Sequence, residues 1–277
     1  GAALHRRARA RAQRAALVAS GLRLGTAWAL LKEARVAAAD VRPLLVTGVL
    51  AEQLAAELGR GAGPGAVTTS ARPEDAAALV RVLAGEATEE DEAQLRAAAR
   101  ARTSAIAVQT SADAGPDVPY VLATDVVVCP PGTGFPVEAI LKAVADRLGE
   151  HGTSLAARLP ALREPLCAAL IESFSRKNGV LGVAIFVPGA DLPVLTRNQL
   201  RLVLRIAAAY GVHVDGSRAA EVAGTVAAGF ALRGVARQLL SAVPVAGWAV
   251  KGAVAYAGTR AIGEAAQRHF AHVAADA

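Results

Sequence analysis

The sequence predicts an α/β domain with a mainly parallel sheet followed by an all-α domain, and three observations carry that expectation. Between residues 43 and 150, short apolar runs alternate with stretches of helical spacing, the order produced by right-handed crossovers between parallel strands. After Gly149 no strand pattern of similar quality recurs, and Pro and Gly punctuate helical stretches instead. Charge changes at the same places. Residues 1–42 hold nine Arg and Lys against two Asp and Glu, residues 43–150 eight against fifteen, and residues 151–277 thirteen against seven. The expected organisation is therefore a basic N-terminal helix (1–42), an acidic α/β domain (43–150) and a basic helical domain (151–277).

The first segment places Arg6, Arg7, Arg9, Arg11 and Arg14 in an Ala background. Leu17, Gly21, Leu24, Trp28 and Leu31 follow at steps of three and four, so the segment reads as one amphipathic helix. It either docks its Leu and Trp stripe on the rest of the protein or lies on an anionic surface. From Pro43 onward, strands are expected at Leu44–Thr47, Val67–Thr69, Leu79–Leu83, Ile106–Gln109 and Tyr120–Cys129. Helices are expected at Ala51–Leu58, Glu90–Ala101 and Val137–Leu148. Thr88 with Asp91 marks a helix start, Gly61–Gly65 a turn, and Thr196 with Gln199 a capping box opening a helix that stops at Gly211. Gly224, Gly229, Gly234, Gly247, Gly252, Gly258 and Gly263 would each cost up to about 1 kcal/mol inside a helix, which points to close helix crossings or breaks.

Composition narrows the class of function. Hydrophobic residues make up 53% of the 277, yet aromatics are only 4% and Ala alone is about a quarter, so the core is built from small side chains. Only four of the 30 basic residues are Lys, which fits a GC-rich coding sequence and weakens the pI of 9.9 as a sign of nucleic-acid binding. Few rings are available to stack bases, and no DNA- or RNA-reading motif is present, so nucleic acid is not expected as a partner. Cys129 and Cys167 form no C-x-x-C pair and suggest a reducing, cytoplasmic setting. There is no Met, so Gly1 is not read as a native start.

No motif dictates a reaction. A phosphate-binding loop after the first strand would run G-x-x-x-x-G-K-[ST] from Gly48, but Gln53, Leu54 and Ala55 stand where Gly, Lys and Ser or Thr are required. Gly132-Thr133-Gly134 lies between a strand and a helix, yet Val137 replaces the third Gly of a dinucleotide fingerprint; an ordinary turn or a weak anion site are both open. The five His residues have no nucleophile setting, and His269 and His272 lack companion ligands, so neither catalytic residues, metal nor cofactor are expected. Arg197, Arg201 and Arg205 recur every fourth residue, as do Arg233 and Arg237. These two ridges either grip anionic lipid or a partner, or pair internally with Asp191, Glu221 or Glu264. Leu239–Ala257 approaches the length of a bilayer span but contains Pro244 and Lys251, so a buried hairpin and partial embedding both remain open.

The runs Leu192-Pro193-Val194-Leu195-Thr196-Arg197-Asn198-Gln199, Ala208-Ala209-Tyr210-Gly211, Gly229-Phe230-Ala231-Leu232-Arg233 and Val243-Pro244-Val245-Ala246-Gly247-Trp248 on to Gly252 resemble the YcjF-type, GTPase-associated domain of unknown function. The likeness covers about residues 175–268. It implies a bacterial protein associated with small GTP-binding domains and with the inner membrane, and it implies no agreed reaction. Under that resemblance the middle segment is similar to a P-loop GTPase, a Rossmann-like parallel sheet. Leu45–Gly48 would then be the phosphate-loop strand, Ile106–Gln109 the guanine-reading strand and Val128–Phe135 the specificity loop. The signature is degenerate throughout: Leu54 replaces the phosphate-loop Lys, Gln109-Thr110-Ser111-Ala112 stands for N-K-x-D, and the only D-x-x-G string, Asp146–Gly149, ends a helix. The expected function is a non-catalytic scaffold that engages a protein partner, for which the resemblance implies a GTPase, peripherally at the membrane and with room for homo-oligomers. The alternative is a divergent GTP-binding protein or NTPase using backbone donors near Gly48 with Arg42 or Arg60.

Overall fold

The computed structural model describes residues 24–111, 115, 117–130, 132–184, 192–212 and 248–276. The Arg-rich start of the N-terminal helix, the ridge at Arg233 and Arg237, and the first part of the Leu239–Ala257 window lie outside these residues. The chain divides into two units. One comprises residues 37–169 with 209–211; the other comprises the described residues up to Val36, Leu170–Ala208, and those from Val212 onward.

The first unit is an α/β sheet of five parallel strands: β1 (Leu44–Gly48), β2 (Val67–Thr68), β3 (Ala78–Leu83), β4 (Ser104–Gln109) and β5 (Val126–Val128). Their order is β2-β1-β3-β4-β5, with Leu45 level with Leu79, and Ala107 level with Arg81 and Val126. Chain direction across the sheet reverses between β1 and β3, the switch point of a doubly wound sheet. β3 is buried along its full length, as expected for a central parallel strand covered on both faces. On one face Leu45, Leu79, Leu83 and Ala107 pack with Leu95 and Ala98 of the helix Glu89–Ala101 and with Val118. Ala51–Leu58 packs against β1 and β2, and the helix Val137–Leu148 packs against β4 and β5.

In chain order the helices are α1 (Leu24–Ala38), α2 (Ala51–Leu58), α3 (Glu89–Ala101), α4 (Val137–Leu148), α5 (Thr153–Arg158), α6 (Arg163–Ala184), α7 (Leu192–Ala209) and α8 (Trp248–Ala275). The sheet unit also holds α5 and the start of α6. Arg158 of α5 donates from Nη2 to the Arg42 carbonyl at 2.6 Å, while the Gly63 amide donates to the Arg158 carbonyl at 2.7 Å. The segment entering β1 is thereby fixed.

The second unit is helical, built from α1, most of α6, α7 and α8. Two of the glycines that the sequence associates with close crossings, Gly252 and Gly263, do serve that purpose. A Cβ on Gly252 of α8 would lie 2.5 Å from Val183 Cγ2 and 2.9 Å from the Gly179 carbonyl oxygen of α6. On Gly263 it would lie 2.5 Å from Ile171 Cγ1. A buried polar set joins the same helices: Asn178 and Gln199 donate to the Thr259 hydroxyl at 2.9 and 3.1 Å, and Asn198 donates to Asn178 Oδ1 at 2.8 Å. Thr259 returns its proton to the Ala255 carbonyl, so its hydroxyl is satisfied inside the core. Among the described residues no helix is long and apolar enough to cross a membrane.

Candidate functional site at the carboxyl edge of the sheet

In doubly wound sheets, ligands bind outside the carboxyl ends of the strands at the switch point, here the ends of β1 and β3. β1 reaches that edge as Leu44-Leu45-Val46-Thr47-Gly48, with its first three residues fully buried. Gly48 has φ +99°, and a Cβ there would sit 2.0 Å from the Val82 carbonyl oxygen of β3. Glycine at this position is required by close strand approach. The next amide, Val49, donates to the same Val82 oxygen at 3.0 Å.

Only Val49 and Leu50 separate β1 from α2. Leu50 takes the left-handed conformation at φ 54° and gives α2 no side-chain cap. The three positions where a phosphate loop requires its Gly, Lys and Ser or Thr are already helical. Gln53 is exposed, with Nε2 3.4 Å from Glu57 Oε1; Leu54 is fully buried in the core; Ala55 is half-buried. A loop that cradles phosphates needs a run of free backbone amides ahead of the helix, and a two-residue connection does not provide it. Arg42 and Arg60 stand at the other end of the sheet, Arg42 just before β1 and Arg60 just after α2. Arg42 is moreover clamped on Asp40, with Nε–Oδ1 3.0 Å and Nη2–Oδ2 2.7 Å.

The remaining loops at this edge are tied down by their own polar groups. Thr69 donates to Glu52 Oε1 at 2.7 Å. Thr88 opens α3 with a reciprocal capping box: its hydroxyl accepts from the Asp91 amide, and the Asp91 carboxylate accepts from the Thr88 amide at 2.9 Å. Arg81, buried in β3, donates from Nε to Asp91 Oδ1 at 2.6 Å and so bolts this cap to the sheet. Burial pushes the Asp91 carboxyl up, but the Thr88 hydroxyl and amide, helped by Arg81, outweigh it and hold the group below its ordinary value.

Gln109, where the resemblance would put a guanine-reading Asn, is held by the sheet and its loops. Its Nε2 donates to the Gly115 carbonyl at 2.8 Å, and its main-chain carbonyl accepts from the Cys129 amide at 2.7 Å. Thr110 donates to the Leu83 carbonyl, and Ala112 lies outside the described residues. Gly132 and Gly134 have φ +80° and +74°, but Thr133 Oγ1 donates to the Pro130 carbonyl at 2.7 Å and Cys129 Sγ lies 3.1 Å from the Gly134 carbonyl. The loop is closed by internal bonds of a turn. Burial, with a contribution from Glu57, raises the Cys129 thiol above its usual value.

Electrostatically the edge is acidic. Glu52, Glu86, Glu89 and Glu90 are exposed around the loops after β1 and β3, while Arg81 is committed to Asp91. Such a field repels a polyphosphate. Among the described residues no group of three His, Cys, Asp or Glu converges to hold a metal ion.

The arginine ridge of α7 has a different fate from end to end. Arg197 is exposed. Arg201 donates from Nη2 to Glu33 Oε1 of α1, and Arg205, 6% exposed, donates from Nη2 to the same oxygen at 2.7 Å. Internal pairing therefore takes two of the three, through a residue that sequence reasoning did not single out. Glu33 is the one acid between Lys32 and Arg35 in a basic helix, a signal that spacing within α7 does not contain. Of the partners weighed from the sequence, Glu264 instead pairs with Arg260 at 2.9 Å, and Asp191 and Glu221 lie outside the described residues. The chain matches no family model, no curated protein and no solved structure.

Proposed function

We propose that the chain is a non-catalytic scaffold whose α/β unit is a degenerate, nucleotide-free relative of the P-loop GTPase sheet and whose helical unit meets an anionic membrane surface. The observation that carries this reading is the closed connection between β1 and α2. Gly48 is pressed on the Val82 carbonyl, two residues lead into the helix, and Leu54 fills the core where a phosphate-binding Lys would stand. Strand order supports the doubly wound class, and the acidic carboxyl edge favours a protein partner over a nucleotide. The resemblance of residues 175–268 to the YcjF-type domain supplies the partner class, a small GTPase, and the inner-membrane setting.

Exposed cations on the helical unit support the membrane half of the reading. Lys32 and Arg35 on α1, Lys177 on α6, Arg197 on α7 and Lys251 on α8 are open to solvent, and Arg176 and Arg260 are exposed but ion-paired with Glu172 and Glu264. Each basic group near an anionic leaflet contributes about 1 kcal/mol, and the attraction is screened by salt. Flotation of the purified chain with phosphatidylcholine vesicles, with and without phosphatidylglycerol, tests it. Binding only to the anionic vesicles, lost at high salt, is expected; no binding to either overturns the membrane half.

A further inference from the structure

We infer that α1 is a latch over the arginine ridge of α7, held by Glu33 and released by an anionic lipid surface. The inference rests on the membrane reading above and concerns its regulation. The ridge has an open end and a covered end. Arg197 is exposed, whereas Arg201 and Arg205, one and two turns along the same side of α7, share a single oxygen, Oε1 of Glu33. Leu30, 3% exposed, lies three residues before Glu33 and so on the same side of α1, while Ala29, Lys32, Arg35 and Val36 are exposed. Among the described side chains of this stretch, Leu30 supplies a buried apolar contact and Glu33 the ion pairs to α7.

Two guanidinium groups on one carboxylate oxygen form a site built for an anion, with a side chain of the same unit as its occupant. Lipid phosphates meeting Arg197 first lie next to Arg201 along the ridge. Each phosphate that replaces Glu33 releases the carboxylate and adds contacts for the surface, so the lipid and α1 compete for the same two side chains. Affinity for the surface is then lowered by the fraction of molecules in which the latch is closed.

The test uses the full chain. Glu33→Gln keeps the size and removes the charge; it is expected to raise apparent affinity for mixed phosphatidylcholine and phosphatidylglycerol vesicles roughly fivefold, with the gain abolished by high salt. Adding Arg201→Gln and Arg205→Gln should remove the gain, and Arg201→Gln alone, at a half-buried residue, serves if the triple variant does not fold. Hydrogen exchange over residues 26–36 should speed up in Glu33→Gln without lipid, and in the unaltered chain when anionic vesicles are added. If the unaltered chain floats but Glu33→Gln floats no better and its α1 amides exchange no faster, the latch is wrong and the membrane reading stands. If no variant floats, both fall. Release of α1 by inorganic phosphate alone, to the same extent as by vesicles, would overturn the lipid surface as the releasing partner.

Discussion

At the scale of single residues, the carboxyl edge is governed by two contacts that forbid substitution. Gly48→Ala would force a Cβ to 2.0 Å from a main-chain oxygen at a φ that L-residues avoid. Neither strand can give, so the variant should lose ~3 kcal/mol or more, read as a lowered denaturant midpoint. Asp91 is the second. Asp91→Asn leaves buried Arg81 with only the exposed Glu90 carboxylate, 3.5 Å from its Nη2, as counter-charge and should cost about 3 kcal/mol at neutral pH. Because the folded Asp91 carboxyl is held below its ordinary value, its stabilisation is fully present above about pH 4, the unfolded carboxyl range, and is lost as pH falls through the lower folded value. The gap in stability between the unaltered chain and Asp91→Asn should accordingly narrow in acid titrations followed by circular dichroism. The two thiols offer a simpler check. Cys167 is fully buried, with its thiol pushed up to about 12 by burial, and Cys129 is also buried and raised. A maleimide should label neither until the chain unfolds.

At the scale of elements, helix packing in the second unit separates glycines that matter from those that do not. Gly252→Ala meets Val183 Cγ2 and the Gly179 carbonyl oxygen, and overpacking of about 2 kcal/mol should exceed the helix-propensity gain of up to about 1 kcal/mol. Gly179→Ala places its Cβ 3.3 Å from Tyr256 Cβ and should be near neutral, so comparing the two thermal midpoints checks the crossing directly. The sheet and its helices were legible because buried parallel strands are short, unbroken apolar runs. The expected bounds of α2 and α4 agree with those observed, and α3 begins one residue before its expected start. The run Tyr120–Cys129 was harder. Its first part is a loop with Tyr120 at φ 64° beneath Arg96, followed by a 3-10 turn at Ala123–Asp125, and only Val126–Val128 is strand. Val118 and Val121 pack on the sheet from that loop, and apolar content alone does not distinguish a buried loop from a strand. Likewise α7 starts at Leu192, ahead of Thr196, and Gln199 turns inward to Thr259 instead of capping. A partner 60 residues away is invisible to local spacing.

At the scale of the whole molecule, charge and topology were legible as segments, while pairing across the sequence was not. The acidic segment holds all five strands of the parallel sheet, and its Gln53, Leu54 and Ala55 fall inside a helix, as the expected span Ala51–Leu58 already places them. The ridge at Arg197, Arg201 and Arg205 was visible as a pattern, but Glu33, 168 residues from Arg201, decides which of its members face solvent. That separation is why a basic patch counted from sequence overstates the surface available to an anion.

The closed link between β1 and α2 is tested most directly by titration of the full chain with fluorescent GTP in the presence of Mg²⁺. No saturable binding is expected up to concentrations of about 100 μM, weaker than the micromolar affinities of about −8 kcal/mol that a built phosphate site supplies. Saturable binding at micromolar GTP, displaced by unlabelled GTP, would contradict the account, because it would require phosphate donors at an edge where Gly48, Leu50 and Leu54 leave no loop to hold them.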